Sequence, residues 1–560
     1  MSKSKLSIML LAAVVLVLGD AAVGQSRIGQ WDVFEISMEA QKQYANPYTE
    51  SLPDKAESLV RVTFTGMDGE AQGQSISITG FWAGGQTFKG RFAPPLPGTW
   101  AYRSASSDPG LNGARGTLTC SKWSASEKNE NPCRRGWVRV CQTGPRPGRY
   151  FEYTDGTPFL WIADTWWNWT KRGILLASFK KLADDRAEKG FTVGQLFFAG
   201  RGWGRQSSLL DRSFTIPDLE HIDHIERMIR YANSRGLTVW IHPWWGGRSL
   251  DTQIGAENIR RWWRYVMARL GAYNVIWTLA GEYNLYNYGD LGLAFWKDLG
   301  RMIDEQDPYD RLLSTHPTPP AWGGGQDAPQ WSTSAVLHNE PWLNYNQSQV
   351  GHGKWRNEMI PQVVMADCAR TPAKPIVVTE PWYEFIQGNP TGADIRFGAL
   401  SAILSGAAGH SYAGGHVWKA HVPEAPSGKD TWPMEMSFDV NTLDYPGAVS
   451  LGFLAGFLKS IAWWQLEPHP ELVTEYPTPY CAAVPGREYL VYLRYGGSAH
   501  VDLCPSSAQD SFETTWIDLT TSKPARSATV SGGDRHLFTS PRGYPGSKEV
   551  SDWLLHIVRK

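Results

Sequence analysis

Hydrophobic and polar residues alternate in short runs over the first part of the chain. Val60, Val62 and Phe64 are separated by polar residues, and turn-forming pairs such as Asp68-Gly69 lie between successive runs. A period of two residues is typical of strands with one buried face, and closely spaced turn signals favour hairpins. The pattern therefore predicts a small antiparallel β-sandwich over residues 28–122.

Strand-like and helix-like runs follow one another through the middle of the chain. A helical pattern of hydrophobic residues ends at Gly236, and the apolar run 238–242 comes directly after it. The same order recurs where a second helical pattern ends at Gly271 and an apolar run occupies residues 274–279. This alternation predicts parallel strands that are joined by crossover helices.

Eight candidate strands can be counted in this middle region. They begin near Phe159, Thr192, Thr238, Asn274, Leu312, Trp342, Pro375 and Gly409. The strand number and a length of about 260 residues match a (β/α)8 barrel. A doubly wound sheet is the alternative, but it has fewer strands, and the glycine-rich phosphate loop usual in such sheets is missing from the sequence. We therefore predict an α/β fold with a (β/α)8 TIM barrel over residues 145–462.

Short strand-like runs return after the predicted barrel. Residues 488–493, 512–519 and 553–557 are rich in aromatic and β-branched residues. They predict a second, C-terminal β-sandwich over residues 465–560. The expected architecture is thus a barrel flanked by two β-sandwiches.

The N-terminus is typical of an export signal. Lys3 and Lys5 precede an apolar run over residues 6–18, and small residues follow it. The run is too short for a membrane span. We predict a signal peptide over residues 1–24 and a secreted or periplasmic protein with no membrane association after cleavage. An uncleaved N-terminal anchor is the alternative.

The six cysteines fit an oxidising compartment, where disulfides form. Cys120, Cys133 and Cys141 are close in sequence, and so are Cys481 and Cys504. We expect a Cys481–Cys504 disulfide and one bridge within the earlier group, although connectivity cannot be deduced from spacing. No CxxC or HExxH motif indicates zinc, and no cofactor is expected.

Charge and aromatic content narrow the choice of partner. The chain has 54 basic and 55 acidic residues, a balance that does not favour nucleic acid or an anionic membrane. Its 28 tryptophans fit either a large core or a protein that stacks on sugar rings. A carbohydrate is therefore the expected partner, and the oligomeric state stays open.

Two glutamates follow the predicted fourth and seventh strands, at the end of the barrel where active sites lie. Hydrolysis of a glycosidic bond needs two carboxylates, and a retaining enzyme places them about 5–5.5 Å apart. Glu282, beside Trp277 and Tyr283, suits an acid with a raised pKa. Glu380 suits an ionised nucleophile if a Tyr or His donates a hydrogen bond to it. The alternative is that either glutamate is a salt-bridge partner at a strand end.

Polar and aromatic residues near the other strand ends are candidates to bind substrate. They are Asp164, Trp166, His242, Trp244, Asn284, His316, Gln349, Trp382 and Tyr412. Asp164 either binds sugar hydroxyls or caps the helix after the first strand. The two histidines bind hydroxyls, tune Glu380 or are simply buried, and each tryptophan stacks on a sugar or belongs to the core. Glu384 falls past the strand end, so we expect it to face solvent.

Several segments resemble the apiosidase-like glycoside hydrolases, a family with a (β/α)8 barrel related to clan A. The barrel segments are 153–167, 277–282 (WTLAGE), 349–352 (QVGH), 378–380 (VTE) and 409–415 (GHSYAGG). Residues 34–48 and 81–100 resemble the β-sandwich that often precedes this barrel, and residues 552–557 resemble the β-domain that often follows it. The resemblance implies that Glu282 is the acid/base and Glu380 the nucleophile. Members that cleave apiose linkages carry Asp after Gly-Gly at the acid/base position, whereas this chain has Ala280-Gly281-Glu282.

These observations predict a secreted, retaining glycoside hydrolase that cleaves a plant or algal polysaccharide or oligosaccharide without a cofactor. A carbohydrate-binding protein that has lost catalysis is the alternative from another class, and the two glutamates argue against it. A polysaccharide lyase would need an Arg or Lys cluster at the strand ends, which the sequence lacks.

Overall fold

The computed structural model describes residues 26–48, 59–197, 218–246, 254–319, 331–421, 436–544 and 551–560. The predicted signal peptide lies outside these ranges. Within them, no helix combines the length and the apolar character that a membrane span requires.

The central sheet is a nearly closed barrel of eight parallel strands, which confirms the predicted fold class. Its strands are Trp161–Thr165, Val193–Phe197, Thr238–His242, Val275–Thr278, Leu313–Ser314, Asn346–Gln349, Ile376–Glu380 and Gly409–Tyr412. Numbered first to eighth along the chain, they are ordered 5-4-3-2-1-8-7-6, so that the fifth and sixth strands form the two edges. Because all eight are parallel, their carboxyl ends meet on one face.

The predicted start of the sixth strand near Trp342 is wrong, since that strand begins at Asn346. Trp342 is fully buried against Gly300 of a neighbouring helix, where any larger side chain would overlap the indole. The apolar residues before Asn346 therefore fill the core outside the sheet.

Within the described ranges, seven longer helices surround the barrel. They are Leu176–Glu188, Leu219–Ser234, Ala256–Leu270, Gly292–Gln306, Ile360–Cys368, Gly392–Leu404 and Pro446–Lys459. Shorter helices occupy Ala125–Glu130, Leu285–Tyr288, Ser334–Leu337, Lys354–Asn357 and Gly415–Trp418. The predicted hydrophobic spacing is seen in the second of the longer helices, whose Ile222, Ile225 and Ile229 are buried. The Asp218 side chain caps that helix by accepting a hydrogen bond from the His221 backbone.

The N-terminal region forms two sheets, as predicted. The first contains Ser26–Gly29, Arg115–Ser121, Gly98–Ser106, Val60–Gly66 and Ser75–Thr79, and the second contains Phe34–Glu39, Thr87–Phe92 and Phe81–Gly84. Burial alternates along Val60–Gly66, and Phe64 stacks on Phe92 between the sheets at 3.9 Å. Ser26–Gly29 pairs in parallel with its neighbour, an exception to the antiparallel arrangement expected.

The C-terminal region also forms two sheets. The larger contains Glu467–Pro468, Tyr480–Val484, Glu488–Leu493, Trp553–Arg559, Ser511–Asp518 and Lys523–Ser531. The smaller contains Val473–Thr474, Gly496–Asp502 and Arg535–Gly543. Two further small sheets adjoin the barrel: Val138–Val140 with Phe151–Tyr153 and Pro158–Phe159, and Ala420–His421 with Met436–Ser437.

Buried ion pairs join both flanking regions to the barrel. On the N-terminal side, Arg91 lies 2.8 Å from the Glu226 carboxylate and donates to the Arg269 carbonyl oxygen at 2.7 Å. On the C-terminal side, the Arg396 guanidinium donates two hydrogen bonds to Asp552, at 2.7 and 2.8 Å. Each arginine fixes the orientation of a β-domain on the barrel, because a guanidinium group that makes two polar contacts at once has a defined geometry.

The expected disulfides are absent, since all six cysteines are free thiols. Cys481 is buried in the core of the C-terminal region, whereas Cys504 is exposed. In the earlier group, Cys141 is buried and its thiol lies 3.1 Å from the Tyr150 hydroxyl. Closeness in sequence therefore did not place these sulfur atoms against one another.

Candidate active site

Glu282 lies four residues beyond the end of the fourth strand, in a loop that is clamped against the loop after the third. Trp245 and Gly281 form a parallel bridge, and a side chain on Gly281 would overlap the Trp245 indole. Glu282 itself has a φ of 42°, a left-handed conformation that is costly for a residue with a side chain. The surrounding contacts hold the glutamate in this conformation, so its carboxylate has a defined direction.

Each oxygen of Glu282 accepts one hydrogen bond. Trp245 Nε1 donates to Oε2 at 3.1 Å, and Gln349 Nε2 donates to Oε1 at 3.2 Å. Burial, followed by the negative charge of Glu380, raises the pKa of Glu282 to about 7. A carboxyl group with this pKa is partly protonated near neutral pH and can donate a proton.

Glu380 is the last residue of the seventh strand, and its side chain is almost completely buried between two histidines. His316 Nε2 lies 3.2 Å from Oε2, and His352 Nε2 lies 3.3 Å from Oε1. Burial would raise the pKa of Glu380, but the hydrogen bonds from the two histidines outweigh it and lower the pKa to about 2. This carboxylate is therefore ionised at any ordinary pH.

The two glutamates interact with each other, since the Glu380 charge contributes to the raised pKa of Glu282. Their surroundings nevertheless drive the two pKa values apart, to about 7 and about 2. Such a pair supplies one carboxyl group that can donate a proton and one that is ionised at the same pH, which is the arrangement that glycoside hydrolysis needs.

Aromatic side chains surround the carboxylates. Trp167, Phe197, Trp245, Tyr383, Ala413 and Trp418 form one buried cluster at this face. The Tyr383 ring packs against His352 at 4.7 Å and against Trp418 at 5.6 Å. These rings make the surroundings of the carboxylates largely apolar.

Two of the predicted binding residues contact the carboxylates of Glu282 and Glu380 directly. Two others contact the residues and loops that surround these carboxylates. His316 bonds to Glu380 and Gln349 bonds to Glu282, as described above. His242 is fully buried, with Nε2 3.1 Å from the Gln195 amide nitrogen and its ring 5.6 Å from His316. Asn284 accepts a hydrogen bond from the Thr318 backbone at 2.8 Å, which ties the loop after the fourth strand to the loop after the fifth.

Asp164 and Trp166 lie outside the site. The Asp164 carboxylate is fully buried, where it accepts hydrogen bonds from Arg186 Nε at 2.7 Å and Trp166 Nε1 at 2.9 Å. Trp166 is itself buried beside Gly194 and packs edge-on against Phe179. Asp164 thus neither faces a ligand nor caps the following helix, because its charge is neutralised by Arg186 inside the protein.

Trp244, Trp382 and Tyr412 are also buried in packing contacts rather than grouped around the carboxylates. The indole of Trp382 donates to the Gln387 carbonyl at 2.7 Å, within its own loop. Tyr412 donates to Glu384 at 2.7 Å. The expectation that Glu384 faces solvent is wrong, since it is fully buried and also accepts a hydrogen bond from the Gly447 backbone at 2.9 Å. A carboxylate there stabilises the N-terminus of helix Pro446–Lys459.

Four residues at the site were not singled out from the sequence. They are Trp167, Trp245, His352 and Tyr383. Trp245 and Trp167 are direct neighbours of Trp244 and Trp166, and a change of one position reverses the direction of a side chain at a strand end. His352 stands in the QVGH segment that had already been recognised, so a closer comparison of strand-end loops could have found it. Among the residues described, no group of three or more His, Cys, Asp and Glu side chains could hold a metal ion.

The barrel, with one glutamate of raised pKa and one ionised glutamate at the carboxyl ends of its fourth and seventh strands, defines a protein of the glycoside hydrolase-like TIM-barrel class. The family model described as "Apiosidase-like, catalytic domain" matches residues 146–465. This chain therefore belongs to the apiosidase-like family. A second family model, a domain of unknown function (DUF5060), matches residues 27–107.

Solved structures share this architecture. A structure titled only "Glycoside hydrolase" is 20% identical, with a TM-score of 0.63, and the match covers 76% of this chain and 98% of the other. A glycoside hydrolase of family 5 from Bacteroides vulgatus is 19% identical, with a TM-score of 0.64 and coverages of 76% and 94%. Another Bacteroides vulgatus protein is 18% identical, with a TM-score of 0.67, and covers 96% of this chain and 100% of its own. At these identities the similarity concerns the fold. No curated protein sequence matches the chain.

Proposed function

We propose that this protein is a retaining glycoside hydrolase in which Glu282 is the acid/base and Glu380 is the nucleophile. The observation that carries the proposal is the pair of glutamates after the fourth and seventh strands, whose different partners separate their pKa values. The separation arises because two histidines donate to Glu380, while Glu282 is buried close to a negative charge.

The reaction would proceed in two displacements. The Glu380 carboxylate attacks the anomeric carbon while Glu282 gives its proton to the departing glycosidic oxygen, so that a glycosyl ester forms on Glu380 and the C–O bond breaks. Glu282, now a carboxylate, then takes a proton from water as the water oxygen attacks the same carbon. The ester bond breaks, Glu380 is released as a carboxylate, and Glu282 is again protonated.

The proposed substrate is a plant or algal polysaccharide or an oligosaccharide derived from one. Membership of the apiosidase-like family and the aromatic surroundings of the carboxylates support a carbohydrate. The apolar run over residues 6–18, after two lysines, supports export by a signal peptide. N-terminal sequencing of the mature protein would test this export, with cleavage near residue 24 expected.

The proposed reaction can be tested with a panel of soluble polysaccharides and 4-nitrophenyl glycosides, with products identified by mass spectrometry. We expect the wild type to release products from at least one probe with retention of anomeric configuration, as followed by NMR. Glu380→Ala should abolish release, and Glu282→Gln should lower it strongly. Glu513→Gln, at an exposed position in the C-terminal region, is the matched control and should leave the rate unchanged.

A trapping experiment tests the nucleophile separately. A fluorosugar of the released sugar type should form a stable adduct on the peptide that contains Glu380. Near wild-type hydrolysis by Glu380→Ala would show the assignment to be wrong. Retention of a glycan without any release of reducing ends would instead indicate a carbohydrate-binding protein.

A further inference from the structure

Trp355 differs from the other tryptophans because its side chain is open to solvent. It is 58% exposed, and it is the only tryptophan among the exposed large hydrophobic residues in the part of the chain that the structure describes. A single exposed apolar residue is ordinary on a protein surface. Trp355 is of interest because it belongs to the chain segment that contacts both glutamates.

The exposed indole belongs to the same segment that supports both carboxylates. Gln349, at the end of the sixth strand, donates to Glu282, and His352 donates to Glu380. Trp355 follows three residues later, in the short helix Lys354–Asn357. Because this segment leaves the carboxyl end of the sixth strand and three residues span at most about 11 Å, the Trp355 backbone lies within that distance of the His352 backbone.

Neighbouring side chains fix the orientation of the Trp355 ring. The Arg356 guanidinium lies over the indole at 4.9 Å, and Arg356 is itself tied to the Val350 carbonyl oxygen by a 3.1 Å hydrogen bond. The buried Trp331 packs edge-on against Trp355 at 5.8 Å, with an angle of 84° between the rings. The ring is thus held by two neighbouring side chains while more than half of the Trp355 side chain remains exposed.

A held, exposed indole is suited to one class of ligand. The C–H-rich face of a sugar ring is flat and apolar, and it packs well on an aromatic side chain that is open to solvent. Because the ring is already oriented, a ligand that stacks on it loses little further conformational entropy from the protein.

We propose that Trp355 is a stacking platform for a sugar of the substrate other than the one attacked by Glu380. The enzyme would then act on a glycan chain of several sugars, and its affinity for that chain would depend on contacts outside the reacting ring. This inference rests on the proposed function, since it assigns a chain-like substrate to the same site.

Substrate length is the variable that tests the platform. We expect Trp355→Ala to lower kcat/KM on a polysaccharide or long oligosaccharide by about fivefold to tenfold, as the loss of one aromatic stacking contact does. The same variant should hydrolyse a glycosyl fluoride of the reacting sugar at the wild-type rate, because that probe has no second ring to lie on the indole. Trp355→Phe keeps an aromatic face and should retain most of the activity on the chain.

The matched control is Tyr544→Ala, which removes another exposed aromatic side chain, 65% exposed, from the C-terminal region. It should leave both rates unchanged. An equal loss on short and long substrates in Trp355→Ala would indicate a merely structural role, and an unchanged rate on the chain would mean that no sugar stacks there. Either result would contradict the proposal that Trp355 stacks on a sugar of the substrate.

Binding can be measured without hydrolysis in a Glu380→Gln background. We expect retardation of this variant in native gels that contain xylan, galactomannan or arabinogalactan, and loss of that retardation when Trp355→Ala is added. Retardation that survives the second substitution, or that occurs in none of the three gels, contradicts the platform. The proposed reaction is judged separately, since it fails if Glu380→Ala still releases product.

Discussion

His316 Nε2 lies 3.2 Å from Glu380 Oε2, and the other nitrogen of the same ring lies 3.0 Å from the Thr379 hydroxyl. The Thr379 hydroxyl also lies 3.0 Å from the Ser348 carbonyl oxygen. A hydroxyl has one hydrogen, so if it donates to Ser348 it must accept from His316 Nδ1. This contact fixes the plane of the His316 ring, so that Nε2 is directed at the Glu380 carboxylate.

The first prediction concerns the pH dependence of hydrolysis. Glu282 must be protonated and Glu380 ionised, so kcat/KM should fall as the pH rises through about 7, the pKa of Glu282. On the acid side, the pKa of about 2 for Glu380 should keep the enzyme active well below pH 5. A pH–rate profile measures both limits. An alkaline limit that persists unchanged in Glu282→Gln would exclude Glu282 as the acid.

The same pair predicts a measurable electrostatic coupling. Because the Glu380 charge contributes to the raised pKa of Glu282, Glu380→Gln should lower the pKa of Glu282. Carbon-13 NMR of the glutamate carboxyl groups, compared between wild type and variant, follows this titration. No change in the Glu282 titration would mean that the two carboxyl groups do not interact.

The histidine on the other side of Glu380 should affect the acid limit. His352→Leu removes a hydrogen bond to the carboxylate, so the pKa of Glu380 should rise to about 3–4 and activity at pH 3 should fall by about twofold to tenfold. The rate near pH 6 should change less. His469→Leu removes a histidine paired with an exposed glutamate in the C-terminal region, and it should leave the profile unchanged. A uniform loss at all pH values would argue against control of the Glu380 pKa.

Thr379 is predicted to act by positioning His316. Thr379→Val has nearly the same shape but leaves His316 Nδ1 and the Ser348 carbonyl oxygen without this partner. We expect kcat/KM to fall by about tenfold and the acid limit to move to higher pH. Thr379→Ser restores the hydroxyl and should recover most of the activity. A valine variant with a wild-type pH profile would show that the hydroxyl has no part in holding the histidine.

A stability prediction follows from the Arg396–Asp552 pair, which is almost fully buried between the barrel and the C-terminal region. Asp552→Ala leaves the guanidinium without its partner and should lower the free energy of unfolding by about 3–5 kcal/mol. Asp298→Ala is the control, because Asp298 and its partner Arg301 are both about half exposed, and it should cost less than about 1 kcal/mol. Urea unfolding curves of the two variants compare these losses directly. Similar curves for both would show that burial does not strengthen the interdomain pair.

The regular elements could be predicted because the signals for them are local. Burial at every second residue in Val60–Gly66 and at helical spacing in Leu219–Ser234 can be read from neighbouring positions. Where the local signal had two explanations, the prediction failed. Trp342 was part of an apolar run that fills a gap beside Gly300 instead of continuing a strand. The cysteines were close in sequence but not paired in space.

The sequence by itself placed Glu282 and Glu380 at the carboxyl ends of two barrel strands, since strand ends follow from the alternation of elements. Only the tertiary structure decided what surrounds them. Gln349 lies 67 positions from Glu282, and His316 lies 64 positions from Glu380. Burial and charge set a pKa, and both depend on these distant contacts, which no local pattern records. Distant contacts also decide which of the polar residues near the strand ends belong to the site. His316 bonds to Glu380, whereas the Asp164 carboxylate pairs with the buried Arg186 instead.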